Sequence, residues 1–311
     1  MPDKLTSTFS EIERIASRDV GRGSETLATH TVGALQRAAV SVSRTDAPAV
    51  VILTGFFIPR ATPPACETDG PLGAVQIASA IHALGGTARI LTDEPCAPVI
   101  RAAIAAAGTA ANLDIAPLPR DVGFEIFDAW TERMLLEYAS VTHFISIERP
   151  GPSASGPPRN MRGLDISQET APLDRCFSAG AWRKIAIGDG GNEIGMGVLP
   201  PLAVAQAVPL GEFIRCVVGC DDLLVGGTSN WAAAALVAGL AISAPARAER
   251  LLPLLDPSWS RHVLQQIVEV GGAVDGARLL PTPSVDGLDW FEYEAPLQDI
   301  LRAATRALRP S

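Results

Sequence analysis

The stretch from Ile185 to Gly197 sets Asp189 and Glu193 four residues apart in a loop that carries five glycines, directly after an apolar run. Glycine lets backbone N–H groups come close to a ligand. Two neighbouring carboxyls can divide acid and base roles once their surroundings separate their pKa values. Glu67 and Asp69 form a second close acidic pair. Glu67, Asp69, Asp189 and Glu193 are therefore the candidate catalytic residues. Converged carboxylates can also hold a hard divalent cation such as Mg²⁺ or Mn²⁺. Acid–base work is the preferred reading, with no metal or cofactor required.

Candidates for holding a substrate surround these pairs: Thr54, Gly55, Gly70, Glu148 and Arg149, then Gly190, Gly191, Asn192, Asp222, Ser229 and Asn230. Arg149, Arg159 and Arg162 can clamp carboxylates through two parallel hydrogen bonds, and Arg22 can join them. Asp69-Gly70-Pro71 and Thr228-Ser229-Asn230 stand where helices are expected to begin. Capping accounts for such residues there, and free N–H groups at a helix start also attract anions. The expected ligand is a small dicarboxylate or amino acid. No P-loop is present, and the first strand–helix turn has no G-x-G-x-x-G, so a nucleotide is not expected.

These residues need a frame that brings them to one edge. Continuous apolar runs predict strands over 49–54, 88–92, 142–147, 183–187 and 213–218, with a short edge strand at 113–116. Helices are expected over 8–18, 26–43, 71–84, 95–107, 124–139, 192–207, 229–244, 258–270 and 295–308. Pro71 suits a first helical turn, and Gly85-Gly86 closes that helix. Residues 149–180 read as irregular, a length of loop that is usually functional. Strand and helix alternate, which predicts a three-layer Rossmann-like α/β fold with a mostly parallel sheet and helices on both faces. The chain reads as a single domain over 1–311, with N-terminal helices 1–45 and a tail 246–311 packed on the core. The acidic and glycine-rich stretches all follow predicted strands, where ligands bind in such sheets.

Composition narrows the function classes. The 311 residues are 47% hydrophobic and carry a net charge of −9. No basic run offsets that charge, so nucleic acid is not an expected partner. Five scattered cysteines without a CxxC suit reduced thiols, with Cys216 and Cys220 read as buried small hydrophobes. The N-terminal stretch shows no apolar leader. The apolar segment 231–246 is short for a bilayer crossing and reads as a buried helix. A cytoplasmic protein without membrane contact is the expectation. The segment 271–294, with Trp290, Phe291 and Tyr293, either covers the sheet or makes a homo-oligomer interface.

Taken together, Leu53-Thr54-Gly55-Phe56, Glu67 to Ala74, Ile147 to Gly151, Ile187 to Gly197 and Ser229-Asn230-Trp231 resemble the D-glutamate cyclase family. The resemblance spans roughly residues 20 to 305. It implies a lyase that converts D-glutamate to 5-oxo-D-proline with loss of water. The eukaryotic members look like two-domain proteins, and this chain resembles their C-terminal type of domain. For that chemistry, Asp189 or Glu193 would take one proton-transfer role and Glu67 or Asp69 the other. Glycine-rich backbone N–H groups would bind the oxyanion. Arg149 and the start of the 70–84 helix would hold carboxylate.

Overall fold

The computed structural model describes residues 4–309. Residues 1–3, the head of the stretch read as lacking an apolar leader, lie outside the described residues. The strands are β1 (Ala49–Thr54), β2 (Phe57–Ile58), β3 (Ala65–Cys66), β4 (Thr87–Asp93), β5 (Asn112–Ala116), β6 (His143–Ile147), β7 (Arg183–Gly188) and β8 (Asp222–Val225). Six of them form one sheet in the order β5-β4-β1-β6-β7-β8, and every pairing in it is parallel. The chain builds outward from β1 through β4 and β5, then crosses to β6 and builds the other way. That doubly wound order puts its switch point between β1 and β6.

Register explains why these strands read as unbroken apolar runs. Ile90, Ile52, Ile145 and Ile185 lie side by side across β4, β1, β6 and β7. They belong to the core on one face, with Val50, Ile147 and Ile187. The alternate residues Val51, Leu53, Leu91, Phe144 and Ala186 belong to the core on the other face. A sheet covered on both faces needs apolar side chains in both directions. Helices Pro71–Ala83, Ala97–Ala107 and Ser229–Ser243 fill the first face, and Phe124–Glu137 covers the second. The three-layer α/β fold is thus as the alternation predicts.

The first face has a second tier. The N-terminal helix Lys4–Ala16 and the tail helix Trp290–Ala307 pack together over Ser229–Ser243. Nearly all of Ser229–Ser243 is buried, which explains its lack of charge. Among the described residues, no single helix is long and apolar enough to cross a membrane. Trp231 stacks on Tyr293 with ring centroids 5.8 Å apart. Tyr293 is therefore part of the covering tier, while Phe291 is 82% exposed.

Several expected elements differ. The expected helix 26–43 is two helices, Ser24–Ala28 and Ala34–Arg44, separated at Gly33, whose φ is +80°. The expected helix 192–207 starts only at Pro201, after a short 3₁₀ turn at Met196–Val198. The irregular stretch 149–180 contains one helix, Asp174–Ala179. The expected strand 213–218 is not in the sheet. Its start is a helical turn, Gly211–Ile214, and the rest ties loops together: Cys216 N–H donates to Gly191 and Val217 N–H to Pro152. β8 takes its place, with only Leu-Leu-Val between two acidic residues and two glycines.

One glycine is needed where the loop after β7 turns back over its strand. A Cβ at Gly195 would sit 1.9 Å from the Ala186 Cβ, and the backbone there has φ +100°. Gly195→Ala is expected to cost roughly 2–4 kcal/mol, combining overpacking with left-handed strain. Urea unfolding checks this: the midpoint should fall while the slope holds. A midpoint equal to wild type would refute the close approach.

Candidate active site

The β2–β3 hairpin decides where the first acidic pair goes. It sends the chain out from β1 and back, returning Glu67 to Asp69 to the carboxyl end of the sheet. The returning strand is held by the tail: Val274 N–H donates to Cys66 O, Thr68 N–H donates to Val274 O, and the Thr68 hydroxyl donates to Ser284 O at 2.7 Å.

Asp69 and Asn230 cap each other's helices. Asp69 accepts from the N–H groups of Ser229 at 2.8 Å and Asn230 at 2.9 Å. Asn230 Oδ1 accepts from Gly70 N–H at 3.1 Å and Gly73 N–H at 2.9 Å. A Cβ at Gly73 would meet Asn230 and Ala233 within 3.0 Å, so glycine lets the two helices meet there. These donors are occupied, and the expected binding of substrate carboxylate at the 70–84 helix start gives way to mutual capping.

Glu148 follows β6 with φ +44°, a strained conformation for a side-chain-bearing residue. Its carboxylate accepts from the Ser229 hydroxyl at 2.6 Å. After β7, Glu193 accepts from Asp189 N–H at 2.9 Å and Gly190 N–H at 2.7 Å. Gly191 N–H points at Met196 Sδ, 3.0 Å away. The glycine loop therefore uses these N–H groups to hold its own shape, and they do not form the expected oxyanion hole. Asn192 reaches the cavity and donates to Arg159 O at 2.8 Å.

Two further residues complete the cluster from far along the chain. Arg22 donates to Asp189 Oδ1 at 2.8 Å and also pairs with Asp286. Asp286 sits at φ +54°. It is presented by a turn wound on Asp275, whose carboxylate accepts from Ala277, Arg278 and Gly287 N–H and from the Ser284 hydroxyl. Sequence reading missed Asp286. The acidic residue in a loop beside Gly287 was the available signal, and nothing local linked it to Asp189.

Five carboxyl groups, from Glu67, Asp69, Glu148, Asp189 and Asp286, thus gather in the field of the Arg22 guanidinium, and Glu193 stands beside Asp189 and Glu148. Asp189, Asp69 and Asp286 form one set with oxygens within 4.8 Å of one another, and Glu148, Asp189 and Glu193 form another. Asp189 Oδ2, Glu193 Oε2 and Asp286 Oδ2 are buried without a hydrogen-bond partner in the chain. Like charges at this spacing cannot all persist away from water. Burial lifts the Asp189 carboxyl to about 8 against the pull of Arg22, with Glu193 and Asp69 adding to the rise. Burial, then Asp286, lifts Asp69 to about 7 despite the Asn230 and Ser229 N–H groups. Burial holds Glu148 and Glu67 well above the carboxylate range, reinforced by Asp189 for Glu148 and by Asp286 for Glu67.

Glu67, Glu148 and Asp189 line a cavity of about 240 Å³, with Arg22, Asn160, Arg162 and Asn192. It is smaller than the roughly 300–1,000 Å³ usual for drug-sized ligands, a size that suits an amino acid. Arg162 makes only long contacts, 3.4 and 3.5 Å, to Gly276 O, so its guanidinium has donors to offer. A larger cleft of about 400 Å³ beneath the N-terminal helices lacks this convergence, and Glu13 on its wall is engaged by Gly33 and Leu35 N–H.

Other candidates stand apart from the cavity. Arg149 is 1% exposed and donates to Gly55 O at 3.0 Å, Asp93 at 2.6 Å and Ala171 O at 2.7 Å. It ties three loops together, only its buried Nε is without a partner, and it does not line the cavity, contrary to expectation. Asp222 opens β8 instead of following a strand. It pairs with Arg37 at 2.9 Å and Arg183 at 2.7 Å, away from the acidic cluster. Arg159 lies over the Phe213 ring, 4.1 Å from its centroid. Thr54 and Gly70 pack beneath Glu148: a Cβ at Gly70 would sit 2.7 Å from the Glu148 Cβ and 2.9 Å from Thr54 Oγ1. Gly55 is similarly hemmed in by Thr92 and Cys96.

The raised carboxyls have a consequence for stability. Asp69 and Asp189 hold protons when folded that an unfolded aspartate, near 3.8, releases. Their contribution is fully present below about pH 4 and is lost as pH rises through about 7 and 8. The melting temperature is therefore expected to fall from about pH 5 to about pH 8, with a shallower fall for Asp189→Asn. Thermal melts across that range check the sign; a rise with pH would refute it.

The family described as D-glutamate cyclase-like, C-terminal, matches residues 12–301. The human protein named D-glutamate cyclase, mitochondrial, is 31% identical over 214 residues, which cover 65% of this chain and 34% of that protein. The match therefore spans about a third of the relative's length. With a family match that runs from the N-terminal helix into the tail helix, the chain belongs to the D-glutamate cyclase-like family, in its C-terminal domain.

Proposed function

We propose that this protein closes D-glutamate into 5-oxo-D-proline with loss of water, by acid–base catalysis at the Glu67–Glu148–Asp189 cavity. The observation that carries this reading is the set of buried carboxyls with raised proton affinities lining a cavity of amino-acid size. The family relationship supports the choice of substrate.

The amine must attack the γ-carboxyl carbon, forming one C–N bond and breaking one C–O bond. The substrate ammonium gives up two protons, and the departing carboxylate oxygen leaves with two as water. Ionised Asp189, with its free Oδ2, is placed to take a proton from the amine. Glu67, whose proton affinity burial raises well above the carboxylate range, supplies one to the departing oxygen. Glu148, raised in the same direction by burial and Asp189, stands beside them. Arg162 is the carboxylate anchor, a role first read onto Arg149. Asp69 positions both helices, and Glu193 shapes the loop that carries Asp189. Glu193 thereby yields the base role to Asp189, and Asp69 yields the acid role to Glu67.

Incubation with D- and L-glutamate and with neighbouring amino acids, followed by mass spectrometry for loss of one water, tests this. Selective conversion of D-glutamate supports it, and melting shifts without turnover would favour a binding module. The two carboxylate sets within 4.8 Å support a second reading, a divalent cation held there. Activity lost on chelation and restored by Mg²⁺ or Mn²⁺ would favour that reading.

A further inference from the structure

A second cleft, of about 390 Å³, shares no lining residue with the acidic cavity. Pro119, Pro150, Pro152, Pro158 and Pro172 form much of its wall, beside Phe124. Proline offers flat apolar surface without an N–H to satisfy. Phe124 opens the helix Phe124–Glu137 and is 67% exposed, so its ring is available for stacking. One polar group stands out on the wall. Thr170 is 5% exposed, and its Oγ1 is buried without a partner in the chain. A buried hydroxyl left unpaired is disfavoured, and a ligand edge would satisfy it.

Charge narrows the ligand. Arg120 and Arg175 at this cleft are each paired with a carboxylate, Glu169 at 3.2 Å and Asp128 at 2.5 Å, which offsets their charge. Asp174 lies on the same wall and accepts hydrogen bonds when ionised. The volume and the mainly apolar wall with few polar groups match a small-molecule site. We propose that this cleft binds a neutral compound with a flat unsaturated ring and an N–H or O–H on its edge. The ring packs between Phe124 and the prolines, and the edge group bonds to Thr170.

Indole is the probe, with benzofuran as the same ring shape lacking the N–H. Saturation-transfer NMR on the full chain should show saturable indole binding at millimolar concentration. Thr170→Val should weaken indole about 10-fold, and benzofuran should bind wild type more weakly by a similar factor. Ser167→Trp, which fills the cleft from its rim, should abolish binding while circular dichroism and melting remain as in wild type. No saturable indole binding to wild type, or binding that survives Ser167→Trp, would overturn the site. Equal binding of indole and benzofuran would overturn the edge-group match. None of these readouts uses turnover, so the outcome is independent of the cyclase reading.

Discussion

Asp189→Asn is expected to lower D-glutamate turnover by about 10²–10⁴-fold, the usual size of a general acid–base contribution. Asparagine preserves the acceptor for Arg22 Nη1, now at 2.8 Å, and removes the proton acceptor at Oδ2. The fold should therefore persist. It should melt higher above about pH 8, because no charge then develops in the buried cluster. The loss should appear in kcat, with KM little changed, since Arg162 still anchors the substrate. Wild-type activity should climb as Asp189 ionises near pH 8, and Asp189→Asn should lose that limb. Glu67→Gln should give a comparable loss by removing the proton donor. Near-wild-type turnover in either folded variant would sink the assignment.

Arg149→Met should unfold the protein more readily, by about 3–5 kcal/mol, the cost of stranding one partner of a buried ion pair. Asp93 is fully buried and would keep only the Ala171 N–H, 3.1 Å away. The carbonyls of Gly55 and Ala171 would lose their donor as well. Joining Asp93→Leu to Arg149→Met should recover most of the loss, because replacing both members by apolar groups is often close to neutral. Urea midpoints across the four-member cycle measure this. A raised KM with unchanged stability would return Arg149 to the substrate-binding role suggested by its loop.

These two residues show what local pattern conveys. The apolar runs at β1, β4, β6 and β7 read correctly because a strand buried on both faces must be apolar throughout. The glycine-rich loop after β7 and the Glu67–Asp69 pair read as site residues because glycine and paired carboxyls are poor choices for a sheet edge without a ligand. Phe213 to Val218 reads as a strand in place of β8 because it has stronger β character, and its pairing to Gly191 and Pro152 is decided by distant loops. Arg149 and Arg162 look alike in one irregular segment. One is buried on Asp93, and the other reaches the cavity.

The sequence by itself determined the alternating layers and the acidic, glycine-rich character of one sheet edge, because burial periodicity and backbone permissiveness are local properties. Only the tertiary structure decided which charges meet. Arg22 and Asp286 join Asp189 from the two ends of the chain, and Asp222 is drawn away to Arg37 and Arg183. A carboxyl's proton affinity depends on its burial and its neighbours, and those are set by chain crossings that no short stretch records.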